Sequence, residues 1–369
     1  MTEFCPESSV SEDFLRRLNR QAALARVPVA GSLELTSRCN FQCVHCYLRH
    51  DEKDMPLSRI RSLLDQIAGA GCLFLLLTGG EPLLRADFPE IYEYAASRGI
   101  LLTVFTNGSL ISGAAVDLFK KIPPQAVDIT LYGASAETYR RIAGDGAMFD
   151  EVLNGIEALR AAGVRVKLKA VMLRQNWHEL PAIEKLAADF GTPFRMDPVI
   201  FSRLNGDRSP VKFRLDPEEA VELEFSSPRR AADWEKHNAR AAGMPLPGRL
   251  FSCGAGITSF HMDSAGMLQP CIMTPYIQHD LKSGSFADGW RRISAAVRSK
   301  SVPENWVCGS CRFRPLCGIC PGYAWFETGA EDKPADYLCK LGQTRYMYLL
   351  EGADDANRKR ESKKTVSEA

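Results

Sequence analysis

Ser37-Arg38-Cys39-Asn40-Phe41-Gln42-Cys43-Val44-His45-Cys46-Tyr47 places three cysteines in a C-x3-C-x2-C spacing. A sequestered four-iron cluster takes four cysteines and mostly carries electrons. Three thiolates leave one iron without a protein ligand, and such an iron can bind a substrate or cosubstrate directly. The competing chemistry is structural zinc, which wants four ligands in a closed tetrahedron. His45 is a fourth donor inside the run, but it would need an awkward local turn to serve.

Outward from this run, short apolar stretches alternate with amphipathic ones. Strands are expected at 33–36, 73–78, 100–105, 127–131, 164–173 and 194–200, and helices at 55–70, 88–96, 114–120, 149–161 and 178–190. Leu73 to Thr78 is nearly all apolar, as a strand buried on both faces should be. Gly163 and Gly191 stand where helices should stop. The fold class is therefore α/β, a parallel sheet of six β-α repeats curled into an open, partial barrel. Such barrels carry their chemistry at the C-terminal ends of the strands. The cysteines follow the first expected strand, Gly79-Gly80-Glu81-Pro82 the second, Thr106-Asn107-Gly108 the third and Tyr132-Gly133 the fourth.

The cysteine spacing, with Gly-Gly-Glu-Pro in register after the next strand, resembles the radical S-adenosylmethionine (radical SAM) superfamily over about residues 30 to 345. The resemblance implies that Cys39, Cys43 and Cys46 hold a 4Fe-4S cluster whose open iron chelates S-adenosyl-L-methionine (SAM). Reductive cleavage of SAM then makes a 5′-deoxyadenosyl radical. His45 occupies a position where the family usually packs an aromatic residue near the adenine. Gly79, Gly80 and Glu81 match the stretch that binds the methionine amino group. Asn107 and Thr130 lie where polar contacts to ribose or methionine are placed. Arg141 matches a position that often pairs with the SAM carboxylate, a task suited to a guanidinium; the plainer reading is a solvated charge at a helix end. Lys169 is a candidate inward-facing charge on the fifth strand, although alternation does not say which face it uses.

Seven cysteines fall in the C-terminal third: Cys253, Cys271, Cys308, Cys311, Cys317, Cys320 and Cys339. Their pattern, C-x12-G-x4-C with Gly266 as the glycine, then C-x2-C-x5-C-x2-C and a last cysteine 19 positions on, resembles the SPASM extension of some radical SAM enzymes. Here Gly318-Ile319 gives two residues where the usual pattern has three. The resemblance implies two auxiliary 4Fe-4S clusters, one on Cys253, Cys271 and Cys320, the other on Cys308, Cys311, Cys317 and Cys339. Zinc knuckles are the alternative for the C-x2-C pairs. The first set has three obvious ligands, since Gly254 to Ser259 adds no cysteine. Its fourth position is open to a substrate thiolate or closed by His261 or Asp263; otherwise His261 reads as a surface hairpin residue. Ile272 stands where sulfatase-maturing relatives carry an acidic base.

Twelve cysteines in 369 residues, with 45% hydrophobic and 25% charged residues, fit a globular cytoplasmic chain rich in metal sites rather than disulfides. A net charge of +1 gives no reason to expect nucleic acid or an anionic membrane. The start of the chain lacks the apolar core of a signal peptide. Cys72 reads as a small core residue, and Cys5 lies in a terminus expected to be mobile. The expected domains are an N-terminal helical extension (1–30), the barrel (31–204), a bridge with one helix at 216–225 (205–250), a loop-rich auxiliary-cluster domain (251–345) and a largely disordered tail (346–369). The extension implies a peptide or protein substrate, with oxidative crosslinking, thioether formation or related C–H chemistry. About 30 residues before the first strand are too few for a leader-recognition domain, so a separate recognition protein or direct binding is expected. An external flavodoxin- or ferredoxin-type protein would supply electrons. The alternative is a small-molecule enzyme of cofactor or tetrapyrrole (haem d1-like) synthesis. An electron-transfer scaffold needs neither an open iron nor the Gly-Gly-Glu site.

Overall fold

The computed structural model describes residues 12–48, 54–144, 148–241 and 248–350. Cys5 lies outside them, as does the expected disordered tail beyond residue 350; residues 346–350, assigned to that tail, continue a helix that starts at 336.

Helix α1 (Glu12–Ala25) precedes β1 (Ala30–Glu34), and the repeats follow. They comprise α2 (Leu57–Gly69), β2 (Phe74–Thr78), α3 (Phe88–Ser97), β3 (Leu101–Thr106), α4 (Gly113–Lys121), β4 (Ala126–Leu131), α5 (Ala136–Ala143), α6 (Met148–Ala161), β5 (Val166–Val171), α7 (Leu180–Asp189) and β6 (Phe194–Asp197). The six expected strands pair in parallel in the order β6-β5-β4-β3-β2-β1. Leu75, Leu76 and Leu77 are buried in β2, each stabilising the fold by about 1.5–3 kcal/mol. Along β5, Val166, Leu168 and Ala170 are buried while Lys167, Lys169 and Val171 alternate with them. That alternation makes one side of the sheet the core and the other the wall of the barrel interior.

The chain continues through α8 (Pro217–Phe225) and α9 (Pro228–Ala241) to β7 (Ser259–Met262), β8 (Met267–Gln269) and β9 (His279–Asp280). It then runs through α10 (Phe286–Arg298), α11 (Arg314–Cys317) and α12 (Pro321–Thr328). The sheet thereby gains three strands that the expected six repeats did not include: β7 lies parallel to β1, and β8 and β9 follow antiparallel. Gly31 makes this addition possible, since a Cβ there would sit 2.2 Å from the ring of Phe260. The stretch expected to be loops contains a 13-residue amphipathic helix, α10, capped by Ser285, whose hydroxyl accepts from Asp288 N.

By compactness the described chain forms two units, Met1–Arg214 with Phe251–Lys300, and Leu215–Leu250 with Ser301–Ala369. The sequence placed limits at 204, 250 and 345. The β1–β7 pairing instead groups Phe251–Lys300 with the barrel sheet.

Candidate active site

In the first unit, the loop after β1 carries Cys39, Cys43 and Cys46. It is stitched to the end of α5 by Gln42 N donating to Ala143 O and Val44 N to Ile142 O. Helix α5 was not among the helices read from periodicity, although the plainer reading of Arg141 as a charge at a helix end agrees with it. Its polar Tyr-Arg-Arg stretch hid the periodicity, although Ser135 caps its start and Gly144 its end at φ 86°. On the other side, Gly80 N donates to Thr36 O and Glu81 N to Arg38 O, zipping the Gly-Gly-Glu turn onto the same loop. The glycines are needed for that approach. A Cβ on Gly79, whose φ is +142°, would stand 2.3 Å from Thr36 O, and one on Gly80 would stand 2.2 Å from Arg38 O. Arg85 anchors the turn from below, reaching Leu35 O and Met55 O and forking onto Asp87.

Glu81 is fully buried. Its carboxylate accepts from Thr106 Oγ1 (2.8 Å), Leu83 N (3.1 Å) and Asn107 N (2.7 Å). It ties the turn after β2 to the turn after β3, and it is not among the residues lining the cavity above the sheet. Burial pushes Glu81 up to about 7, against the pull of those three hydrogen bonds.

That cavity has a volume of about 340 Å³ and is walled by Cys39, Cys43, Cys46, His45, Gly79 and Gly80. Asn107 and Thr130 also face it. The Asn107 amide donates to Asn40 Oδ1 at 2.8 Å and lies 3.9 Å from Cys39 Sγ. Of the residues carried by the resemblance, Arg141 is placed elsewhere: it is exposed on α5 and donates to Thr138 Oγ1 at 3.0 Å. Lys169 answers the open question of its face by entering the cavity, its Nζ 3.2 Å from the centre of the Phe105 ring. Burial lowers Lys169 to about 7 and His45 to about 4, and raises Cys39 to about 11 and Cys43 further. The Tyr132 hydroxyl hydrogen-bonds the Cys43 sulfur, and its ring meets that of Phe41 edge-on at 5.8 Å.

A second cavity of about 370 Å³ shares Phe105, Arg195 and Asp197 with the first and is also lined by Cys253 and Cys271. These three residues form a wall common to the two cavities, one lined by the first cysteine loop and the other by Cys253 and Cys271. His261 is corrected from a surface hairpin residue to a buried one, 3% exposed on β7. Its Nδ1 meets Ser32 Oγ at 2.8 Å and its Nε2 lies 3.5 Å from Glu34 Oε1, because pairing with β1 turns its side chain inward. Asp263 holds the β7–β8 hairpin by accepting from Ala265 N and Met267 N. Cys72 is buried as expected, its thiol donating to Phe74 O.

In the second unit, burial raises the thiols of Cys308, Cys317 and Cys339, and neighbouring cysteines, Cys311 among them, raise each further, so the four share one neighbourhood. Cys317 is pushed up to about 11. Gly342 makes room for it, since a Cβ there would be 2.8 Å from Cys317 Cβ. Cys320 sits at the N-terminus of α12. All these thiols are free of disulfides.

Among the described residues no three His, Cys, Asp or Glu side chains gather as ligands of a single ion. The chemistry of the donors nevertheless suits a polynuclear iron site: buried thiols resist ionisation in an apolar setting, and bound iron offsets that cost. His45 Nδ1 is buried without a hydrogen-bond partner beside them. Tyr132, placed on the rim by its Tyr-Gly motif, lines the cavity, whereas Phe105, Arg195 and Asp197 are cavity residues that motif reading passed over. The signal that could have found Arg195 and Asp197 is strand alternation, once one inward residue of β6 is known.

Residues 33–187 match the family model for the radical SAM superfamily. An AdoMet-dependent heme synthase of Methanosarcina barkeri (strain Fusaro / DSM 804) is 24% identical over 340 residues, covering 86% of this chain and 96% of that protein. Mycofactocin maturase MftC of Mycolicibacterium smegmatis is 27% identical over 367 residues, covering 93% and 88%. The fold is shared with Streptococcus suis SuiB bound to precursor peptide SuiA, at a TM-score of 0.70 and 16% identity over 90% of this chain and 82% of that one. Among the described residues no helix is long and apolar enough to cross a membrane.

Proposed function

We propose that this chain, whose residues 33–187 match the radical SAM superfamily, oxidatively modifies a ribosomally made peptide or protein by C–H functionalisation such as crosslinking or thioether formation. The observation that carries this reading is the convergence of Cys39, Cys43, Cys46 and the Gly79-Gly80 turn on one cavity, with Cys253 and Cys271 lining a second cavity that shares a wall with it. A 4Fe-4S cluster with SAM would supply the radical that removes a hydrogen atom from an unactivated C–H bond. Cys39, Cys43 and Cys46 would hold the cluster, with His45, Gly79, Gly80, Asn107 and Thr130 around SAM. Glu81 would act through the backbone turns it joins, and Arg141 would have to leave Thr138 to reach the SAM carboxylate. Cys308, Cys311, Cys317 and Cys339 would hold one auxiliary cluster, and Cys253, Cys271 and Cys320 another. The polar interior would orient the substrate and exclude water.

The relation to a maturase of mycofactocin and the shared fold with a precursor-peptide complex support a peptide substrate. An electron donor of flavodoxin or ferredoxin type and a separate leader-recognition protein belong to the same proposal. The heme synthase relation, spanning 96% of that protein, favours a tetrapyrrole as the second reading. The test is anaerobic incubation of the reconstituted protein with SAM, dithionite and, in separate arms, candidate precursor peptides and iron porphyrins. Mass spectrometry should find 5′-deoxyadenosine in both arms and a mass change in a peptide. A change confined to the porphyrin arm would transfer the assignment to the second reading.

A further inference from the structure

Lys169 is a half-buried lysine for which the chemistry above has no use. It stands on β5 beside Thr130 of β4, faces the cavity of the three cysteines, and lies over the Phe105 ring. Among the described residues it makes no hydrogen bond and no ion pair. The charged groups around it are Asp128 on β4 and Arg195 and Asp197 on β6, while β3 presents the Phe105 ring. Farther along the same wall are the three cysteines, His45, Tyr47 and Tyr132, and Lys167 faces the second cavity. Asp128 lies 3.7 Å from the Arg195 guanidinium, which draws its charge away from Lys169. Burial lowers the amine to about 7, with Asp128 pulling it up, Arg195 pushing it down and Asp197 pulling it up. A lysine so placed is half neutral at neutral pH, which makes it an effective base. Ile272, beside Cys271, offers no proton-accepting atom.

We propose that the Lys169 amine is the proton acceptor of the reaction, taking the proton of the substrate thiol, amide or hydroxyl that becomes bonded to the activated carbon. In this step the X–H bond breaks and its electron pair stays on X. The proton joins the Nζ lone pair to give the ammonium, a step without redox change; the C–X bond that follows joins that electron pair to the carbon radical and releases one electron, which an iron–sulfur cluster would take up. The inference rests on the peptide-modifying reading and deepens it by giving the reaction its base.

The test begins with competitive labelling of the full-length reconstituted protein by trace acetic anhydride from pH 5.5 to 9.5, followed by peptide mapping. Lys169 should label with a midpoint near 7, well below the ordinary lysine value of about 10.4. The midpoint should fall in Asp128→Asn and rise in Arg195→Gln. A midpoint near 10 overturns the proposal. So does an unlabelled Lys169 beside a labelled Lys185, because an amine closed to a small anhydride is closed to a substrate. On the peptide identified by the screen above, product formation should rise with pH through the same midpoint and drop by about 10²-fold or more in Lys169→Met. Lys169→Arg should be equally impaired, since a guanidinium stays protonated. Retained turnover in Lys169→Arg would make the residue a charge clamp and overturn its role as base. Absence of 5′-deoxyadenosine from the unmodified protein sinks the family chemistry itself, an outcome that the labelling midpoint does not mimic.

Discussion

At the scale of single residues, the site is a matter of close approach. Gly80 and Gly69 make a controlled pair. Gly80 has the Arg38 carbonyl where a Cβ would be, and the obstacle is backbone that no rotamer change relieves. Gly69, in α2, has open space there. Gly80→Ala should destabilise the protein by about 1–3 kcal/mol and abolish SAM cleavage, whereas Gly69→Ala should stabilise it by about 0.5–1 kcal/mol. Urea unfolding of the two variants beside the parent checks both signs. Glu81 gives a pH prediction. Its folded pKa, about 7, exceeds the ordinary 4.5, so between those values the native chain holds a proton that the unfolded chain releases. The stability it contributes is full below about 4.5 and lost as pH rises through about 7. Glu81→Gln removes this dependence and turns an amide N–H toward one of the three donors. The stability difference between parent and variant should therefore shrink from pH 5 to pH 8 by an amount on the order of 3 kcal/mol. A difference that stays constant across that range would show that Glu81 does not titrate there.

At the scale of elements, the second unit is pinned by one buried ion pair. Arg345, on the helix that starts at 336, forks onto Glu224 of α8 with two bonds of 2.7 Å. It also donates to Leu316 O of α11 and lies 4.2 Å over the ring of Trp234 of α9. Three helices thus depend on one guanidinium, and α11 carries Cys317. Arg345→Met should cost about 3–5 kcal/mol by removing the guanidinium that compensates a buried carboxylate, and Arg345→Met/Glu224→Leu should recover most of it. Thermal unfolding and retained iron, measured together, would show whether the cysteines of this unit loosen with the helices. Elements also mark where the sequence stops being legible. Strands β1 to β6 were readable because parallel strands buried on one face are apolar at every second residue or more, as Phe74 to Thr78 shows. Strand β7 was not readable, because Ser-Phe-His-Met is short and its two inward residues are polar; only the pairing with β1 makes it a strand. Helix α10 did carry a signal, with Phe286, Trp290, Ile293 and Val297 buried at helical spacing behind a Ser285 cap. The surrounding Cys, Gly and Pro drowned it. Within the site, local motifs pointed to Cys39, Cys43, Cys46, Gly79, Gly80, Asn107 and Thr130, all of which line the cavity. Arg141 fell outside it because it lies on the exposed face of α5, bonded to Thr138, and a motif register says nothing about side-chain direction.

At the scale of the whole molecule, metal content tests the cysteine arithmetic. Ten of the twelve cysteines fall into the three proposed sets, leaving Cys5 and Cys72. Three clusters of four irons predict about twelve irons per anaerobically reconstituted chain. The loop of Cys39, Cys43 and Cys46 is held by backbone bonds to α5 and to the Gly-Gly-Glu turn, none of which passes through a cysteine sulfur. The triple variant Cys39→Ala/Cys43→Ala/Cys46→Ala should therefore keep its fold and about eight irons, while losing reductive SAM cleavage altogether. The set of Cys308, Cys311, Cys317 and Cys339 predicts the complementary result, because there the other three cysteines lie near enough to Cys317 to raise its pKa. Replacing Cys308 and Cys311 with Ala should remove about four irons and leave SAM cleavage in place. Iron and zinc by emission spectroscopy, with 5′-deoxyadenosine by chromatography on the same samples, separate the cases. About four irons with stoichiometric zinc in the parent would make the C-terminal cysteines zinc knuckles. Deoxyadenosine formed by the triple variant would mean that the radical chemistry does not start at the first cysteine loop.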